Sequence, residues 1–351
     1  MEDEPMNVLF CASHPAHVHL FKNAIDQLRR DGHEVLVASR EKDLTIDLLE
    51  AYELPHQPLW REGGSLMGHG VELVKYEVRL LRLARQFDPD VVVSRLNPAA
   101  AHVSSVLRCP NVVFDDDSEV AQLVGKLTNP FSDVICTPAD FEVDLGSRQR
   151  RYDGFHELAY LHRDWFEPDP SVLSEFGIDV DEQYFVLRFV SWGAHHDVGQ
   201  GGLSREMKRT IVSELAERGS VYITSEDPLP DEFEEYRLPI PPEHIHQLLY
   251  HADLYVGDSQ TMATEAAVLG TPSVRSNTFA GGDDMSNFVT LEEEYDLLYS
   301  TGDEDRALEL VRDLSTRTDI QEVWKQKRNK LLDDKIDVTQ FMLDVIAEVG
   351  E

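Results

Sequence analysis

Residues 253–275, DLYVGDSQTMATEAAVLGTPSVR, constrain the fold more than any other stretch of the chain. Leu254–Val256 is a short uninterrupted apolar run and reads as a buried strand, Gly257-Asp258-Ser259 as a turn, and Thr261–Leu269 as an Ala-rich helix. Gly270 stops that helix and Pro272 prevents its continuation before a second strand. A strand buried on both faces, then a tight turn and a small-residue helix, belongs to a β-α-β unit of a parallel sheet. Ser259 and Thr261 place hydroxyls at the helix start, beside N–H groups without intrahelical acceptors and the positive end of the dipole. Such an end binds phosphate. Glu265 follows one turn later on the same face, where a carboxylate accepts two hydroxyl protons of a ribose cis-diol. Phosphate and ribose together suggest a nucleotide. The plainer alternative is an N-cap followed by a solvated glutamate.

The same alternation runs along the chain. MNVLFCA opens it as a buried strand, SHPAHVHLFKNAIDQLRRDGH continues into an amphipathic helix, and EVLVAS follows as a second strand. The opening loop has no GxGxxG, so a dinucleotide fingerprint is absent. It carries His14, His17 and His19 instead, whose spacing does not make a single-face triad, so zinc and other metals are not expected. His14 and His17 follow the first strand, where open α/β sheets place ligands, and either would serve as a base near neutrality. Local capping and packing are the alternative roles. After DVVVS and a helix near Ala99–Leu107, NVVF runs into Asp115-Asp116-Asp117. These acids would act in proton transfer or hold a cation, or else cap a helix starting near Val120. Between Tyr152 and Pro170 periodicity is lost, and a domain boundary is placed near Phe166. YFVLRFV restarts the strand series, and a glycine-bearing loop from Ser191 through His195 and His196 to Gly202 precedes the next helix. Its glycines either admit a phosphate to the backbone or only punctuate a turn.

Composition bounds the rest. At 351 residues two domains are expected, and no run reaches the length needed to span a bilayer. The acidic N-terminus lacks a signal-peptide charge pattern. Cys11, Cys109 and Cys136 read as buried, reduced thiols of a cytoplasmic protein. With 66 acidic and 32 basic residues the net charge is −34, a field that repels nucleic acid. It suits a salt-rich cytoplasm, as in a halophilic archaeon, where screening removes the self-repulsion; an unusually acidic mesophilic protein is the alternative. Lys75, Arg79, Arg82 and Arg85 form a basic stripe on the helix Val71–Phe87. The stripe either faces an anionic membrane surface at the inner face or pairs with neighbouring glutamates.

Taken together, DSQTMATEAAVLGTPSV, RFVSWGAHHDVGQGG, HQLLYHADLYVGDS and SHPAHVHLFKNAI resemble the GT-B superfamily. The resemblance is to predicted archaeal glycosyltransferases related to the non-hydrolysing UDP-N-acetylglucosamine 2-epimerases. More distantly it extends to the peptidoglycan glycosyltransferase that adds N-acetylglucosamine to a lipid-linked acceptor. It implies two Rossmann-like α/β domains with parallel sheets facing across a cleft. The expected layout is an acceptor-side domain over 1–165, a nucleotide-sugar domain over 166–337, and a final helix over 338–351 crossing back to the first. Residue by residue, Ser259, Gln260 and Thr261 match the diphosphate-binding turn, Glu265 the ribose acid, Ser191–His196 the loop closing on the donor, and His14–His17 the acceptor-side loop.

One departure matters. The epimerase pattern has a catalytic Asp at the end of the strand matching DVVVS, whereas this chain has Ser94-Arg95-Leu96. That departure favours glycosyl transfer over epimerisation at C2. The expected donor is a UDP-sugar, with no further cofactor, and the expected acceptor a glycan or polyprenyl-linked lipid. The amides at Ser259–Thr261, with Arg188 or Arg275, would stabilise the departing diphosphate, each preorganised donor contributing about 3 kcal/mol. His17 or Asp116 would take the acceptor's proton.

Overall fold

The computed structural model describes residues 4–41, 44–61, 69–117, 124–189, 202–225, 228–276 and 284–351. The chain divides into two compact units, one of Met1–Trp165 with Lys335–Glu351 and one of Phe166–Asp334. Each is a parallel sheet flanked by helices.

In the first unit the strands are β1 (Asn7–Ala12), β2 (Glu34–Glu41), β3 (His56–Arg61), β4 (Val91–Arg95), β5 (Asn111–Phe114), β6 (Val134–Pro138) and β7 (Gln149–Tyr152). They lie in the order β3-β2-β1-β4-β5-β6-β7, every pairing parallel. Among the described residues up to Trp165, the helices of seven residues or more are α1 (Pro15–Arg30), α2 (Thr45–Ala51), α3 (His69–Phe87) and α4 (Pro98–Leu107). β1, β4 and β5 are read easily because Val8–Phe10, Val91–Val93 and Val112–Phe114 are buried on both sheet faces.

The second unit has β8 (Tyr184–Phe189), β9 (Ser220–Ser225), β10 (Leu254–Gly257), β11 (Ser273–Ser276) and β12 (Leu298–Thr301), in the order β12-β11-β10-β8-β9, again all parallel. Its helices are α5 (Arg205–Ala216), α6 (Ile245–His251), α7 (Gln260–Leu269), α8 (Glu304–Leu314) and α9 (Ile320–Asp334). The last helix, α10 (Val338–Gly350), belongs to the first unit and packs on α1 and β4.

Strand order fixes where a ligand fits. Connections leave β1 toward β2 on one side and β4 lies on the other; β8 is likewise flanked by β9 and β10. At such reversals the loops diverge and leave a crevice at the strands' carboxyl ends. In the first unit that end carries the loop to α1 and Arg95; in the second it carries Arg188 and the turn into α7. Among the described residues, no helix is long and apolar enough to cross a membrane. Cys11, Cys109 and Cys136 are free and buried.

Candidate functional site

In the second unit the switch point falls between β8 and β10, and α7 begins there. Ser259 is its N-cap, with extended backbone, and its hydroxyl accepts the Met262 N–H at 3.5 Å. Gln260 and Thr261, the first two residues of the helix, are exposed, and their N–H groups have no intrahelical acceptor. The helix is Ala-rich for a packing reason: Ala263, Ala266 and Ala267 have no exposed surface, and only small side chains fit there. Gly270 ends it at φ +82°, the left-handed conformation glycine supplies at least cost.

Around this start stand several charged groups. Arg188, at the end of β8, donates to Thr224 Oγ1 at 3.0 Å, and its carbonyl accepts the Asp258 N–H at 3.2 Å. Lys208 of α5 is almost wholly buried, with its ammonium 4.0 Å from Asp258 Oδ2 and 4.9 Å from the Phe189 ring centroid. Burial pushes the Lys208 ammonium below its usual range, and Asp258 opposes that shift. Gly202, where the chain re-enters after the glycine-bearing loop, is packed so closely that a Cβ would collide with the Asp258 carboxylate. Ser191, His195 and His196 lie outside the described residues.

Two assignments take a different form from the sequence expectation. Glu265, read as an open ribose ligand, is 4% exposed, and its Oε1 is 3.0 Å from His246 Nε2 of α6. It sits on the helix's inner side because α6 packs against α7 there. Arg275, proposed as a diphosphate partner, has no exposed surface; it is ion-paired to Asp284, donates to Ser300 Oγ at 3.2 Å and stacks 3.6 Å above the Phe288 ring. Arg188 therefore stands nearer solvent than Arg275.

In the first unit, buried polar groups gather at the carboxyl end of the sheet. Arg95 lies beside β5 in register with Phe114, which brings its guanidinium to the acids that follow. It is ion-paired to Asp116 and lies 3.9 Å from Asp115 Oδ1. Asp116 Oδ2 is also 2.8 Å from Nδ1 of the buried His156, whose ring stacks near-parallel on Tyr152. Burial raises the Asp116 carboxyl, but Arg95 and His156 outweigh it and hold the group well below the usual carboxylate range. Asp115, 1% exposed, is pushed by burial up to about 7.

His14 caps α1, accepting the Ala16 N–H at 3.2 Å, and is exposed. His17 is half-buried; the Ser13 N–H reaches its Nδ1 at 3.4 Å, a long contact. Burial, then the charges of Arg95 and His14, hold the His17 imidazole well below its usual range, so it is neutral at pH 7. Among the described residues, Ser94 Oγ, Asp115 Oδ2, Tyr152 Oη and His156 Nε2 are buried without a hydrogen-bond partner. Orphaned polar atoms are rare in folded proteins, and those of Asp115, Tyr152 and His156 lie around one ion pair. His156 and Tyr152 could not be singled out from sequence, since they fall in the aperiodic aromatic stretch before the domain boundary.

Elsewhere, His162, Asp164 and Asp337 bring donor atoms within 4.8 Å of one another. Asp337 is already committed, accepting the Trp165 Nε1–H at 2.9 and 2.8 Å and capping α10. A surface cavity of about 640 Å³, lined in part by Lys126 and Arg148, opens near the starts of β6 and β7, away from the strands' carboxyl ends. Lys75, Arg79, Arg82 and Arg85 are exposed on α3; Arg79 donates to the Leu59 carbonyl at 2.7 Å, and among the described residues none of the four pairs with a carboxylate.

The family model described as "Protein of unknown function (DUF354)" matches residues 7–350. An uncharacterized protein of the archaeon Methanocaldococcus jannaschii is 25% identical over 271 residues, 74% of this chain and 78% of its own length. Among solved structures, the spinosyn forosaminyltransferase SpnP superposes with a TM-score of 0.66 at 15% identity, covering 99% of this chain and 100% of that one. The UDP-GlcNAc 2-epimerase of M. jannaschii gives a TM-score of 0.62 at 15% identity over 89% and 94% of the two chains. The fold is that of GT-B glycosyltransferases, two parallel-sheet Rossmann-like domains.

Proposed function

The chain belongs to the DUF354 family, and we propose that it is a glycosyltransferase that moves a sugar from a nucleoside-diphosphate donor, a UDP-sugar such as UDP-N-acetylglucosamine, to a glycan or lipid-linked acceptor. The observation that carries this reading is the open amino end of α7 at the switch point of the second sheet, with Gln260 and Thr261 exposed. As the glycosidic bond breaks, the leaving diphosphate gains charge, and preorganised amides at Ser259, Gln260 and Thr261 would stabilise it with Arg188. The loop carrying Ser191, His195 and His196 is assigned to the donor by resemblance alone. Glu265 has the ribose role only if its contact with His246 yields a hydroxyl-accepting oxygen to the ligand.

In the first unit His17 is assigned the acceptor's proton. It is neutral at pH 7, as a base must be; burial and the charges of Arg95 and His14 weaken it as a proton acceptor, and the Asp116 carboxylate opposes that effect. Asp116 is the weaker choice, because a carboxylate held by Arg95 and His156 is a poor proton acceptor; its role is to orient and to offset developing positive charge. His14, exposed at the start of α1, is placed to meet an acceptor. Arg95 at the end of β4 supports transfer over epimerisation, since a cation there cannot serve as the second acid. The charge of −34 supports a salt-rich cytoplasm. Exposure of Lys75, Arg82 and Arg85 supports peripheral contact with an anionic membrane, which suits a lipid-linked acceptor.

The test is turnover of nucleotide sugars in molar KCl. Transfer releases free nucleotide only when acceptor is present, epimerisation changes the sugar at C2 without any acceptor, and a pure binding protein does neither. Replacing His17 by Ala should lower transfer at least a hundredfold with donor affinity unchanged; equal loss in both would remove His17 from the chemistry.

A further inference from the structure

Tyr255 precedes Gly257 by two residues on β10, so both positions point to the same face of the sheet. The phenol runs along the strand toward its carboxyl end and lies over Gly257, where a Cβ would collide with Tyr255 Oη and with the Arg188 carbonyl. Glycine in a strand often marks a close approach; here, as the last residue of a central strand, it clears the path by which a hydroxyl reaches the turn into α7. Tyr255 has no exposed surface, and among the described residues its Oη has no hydrogen-bond partner. Phenylalanine would fill the same space without stranding a polar atom. Burial, then the charge of Asp258, hold the phenol protonated far above its usual range, so Oη offers a proton. Its other charged neighbours are Arg188, Glu265 and Arg275. Arg275 stands beside Gly257 in the β10–β11 register, and its Nη1 is likewise buried without a partner among the described residues. A buried donor lacking an acceptor, beside the start of α7, matches an oxyanion.

We propose that the Tyr255 hydroxyl is a ligand-binding group of the second unit, donating a hydrogen bond to a phosphate oxygen of the nucleoside diphosphate at the start of α7; this rests on the glycosyltransferase reading and adds a residue to it. The experiment compares the full-length parent with Tyr255→Phe by calorimetric titration of UDP, dTDP and GDP, and by thermal unfolding without ligand. The expected result is affinity at least tenfold weaker for each nucleotide the parent binds, by a similar factor, with a Tm equal to or above the parent's. Unchanged affinity together with a raised Tm would make the hydroxyl a structural orphan and overturn the proposal, leaving the donor site intact. A loss confined to one base would overturn the phosphate assignment. A parent that binds none of the three nucleotides would remove both this proposal and the reading beneath it.

Discussion

Asp115 and Asp116 are adjacent in sequence and opposite in character. Asp116 has two cationic or hydrogen-bonding partners; Asp115 is deeper, and its Oδ2 has none among the described residues. A carboxyl raised from 3.8 to about 7 by burial binds its proton more tightly in the folded state than in the unfolded. Its contribution to stability is therefore fully present below about pH 4, declines as pH rises through the window from 4 to 7, and is gone above it. Relative to the parent, Asp115→Asn should gain stability across that window, by up to about 4 kcal/mol, and level off above pH 7. His17 and His156, lowered by burial, shift stability in the opposite sense below about pH 6.5, but they are common to both proteins and cancel in the difference. Urea unfolding at pH 5, 6, 7 and 8 measures this directly, and a difference independent of pH would contradict it. The acid run at the end of NVVF was readable as a candidate site. Which acid meets Arg95 was not, because it depends on the register of β4 on β5, and neither His156 nor Tyr255 had any spacing to mark it.

At the scale of elements, legibility followed burial. Strands enclosed on both faces, such as β1, β4, β5 and β10, are continuous apolar runs and are legible directly. β3 (HQPLWR) and β7 (QRRY) close the two edges of the first sheet and carry polar side chains, so neither was anticipated. Polar edges are how a sheet avoids pairing with another chain. Helix α3 is legible as amphipathic, but the fate of its basic stripe is not, since the paired and unpaired alternatives differ only in what surrounds it. Val74 and Val78, 56% and 42% exposed, lie among Lys75, Arg82 and Arg85. Cations near an anionic bilayer contribute about 1 kcal/mol each at the 0.1 M salt of the assay, where the acidic remainder of the surface is screened beyond about 10 Å; in molar salt that reach falls to about 3 Å and only direct contact is left. Reversing Lys75, Arg82 and Arg85 to Glu should lower co-sedimentation with phosphatidylglycerol vesicles by about a hundredfold in partition coefficient, leaving thermal unfolding unchanged. Equal sedimentation of parent and variant would leave the stripe without a membrane role.

For the molecule as a whole, the two units differ in how the chain builds them. The second is one continuous segment, Phe166–Asp334, while the first is completed only by Lys335–Glu351. In α10, Val338, Met342 and Ile346 have no exposed surface and Val345 has 2%. Thr339 Oγ1 donates to the Ala159 carbonyl at 2.6 Å, and the Trp165 indole donates to Asp337 just before the helix. Burying four such side chains contributes roughly 1.5–3 kcal/mol each, or about 6–12 kcal/mol. That is comparable to the whole net stability of an ordinary domain, about 5–15 kcal/mol. A chain ended after Asp334 should therefore lose hydrogen-exchange protection throughout β1, β4 and β5, while β8, β10 and α7 keep theirs, because no residue of the second unit lies beyond that point. Exchange measured by mass spectrometry resolves the two sets of peptides. Protection retained in β1 would mean that α10 only decorates a core already complete, and protection lost in α7 would mean that the second unit does not fold independently of the first.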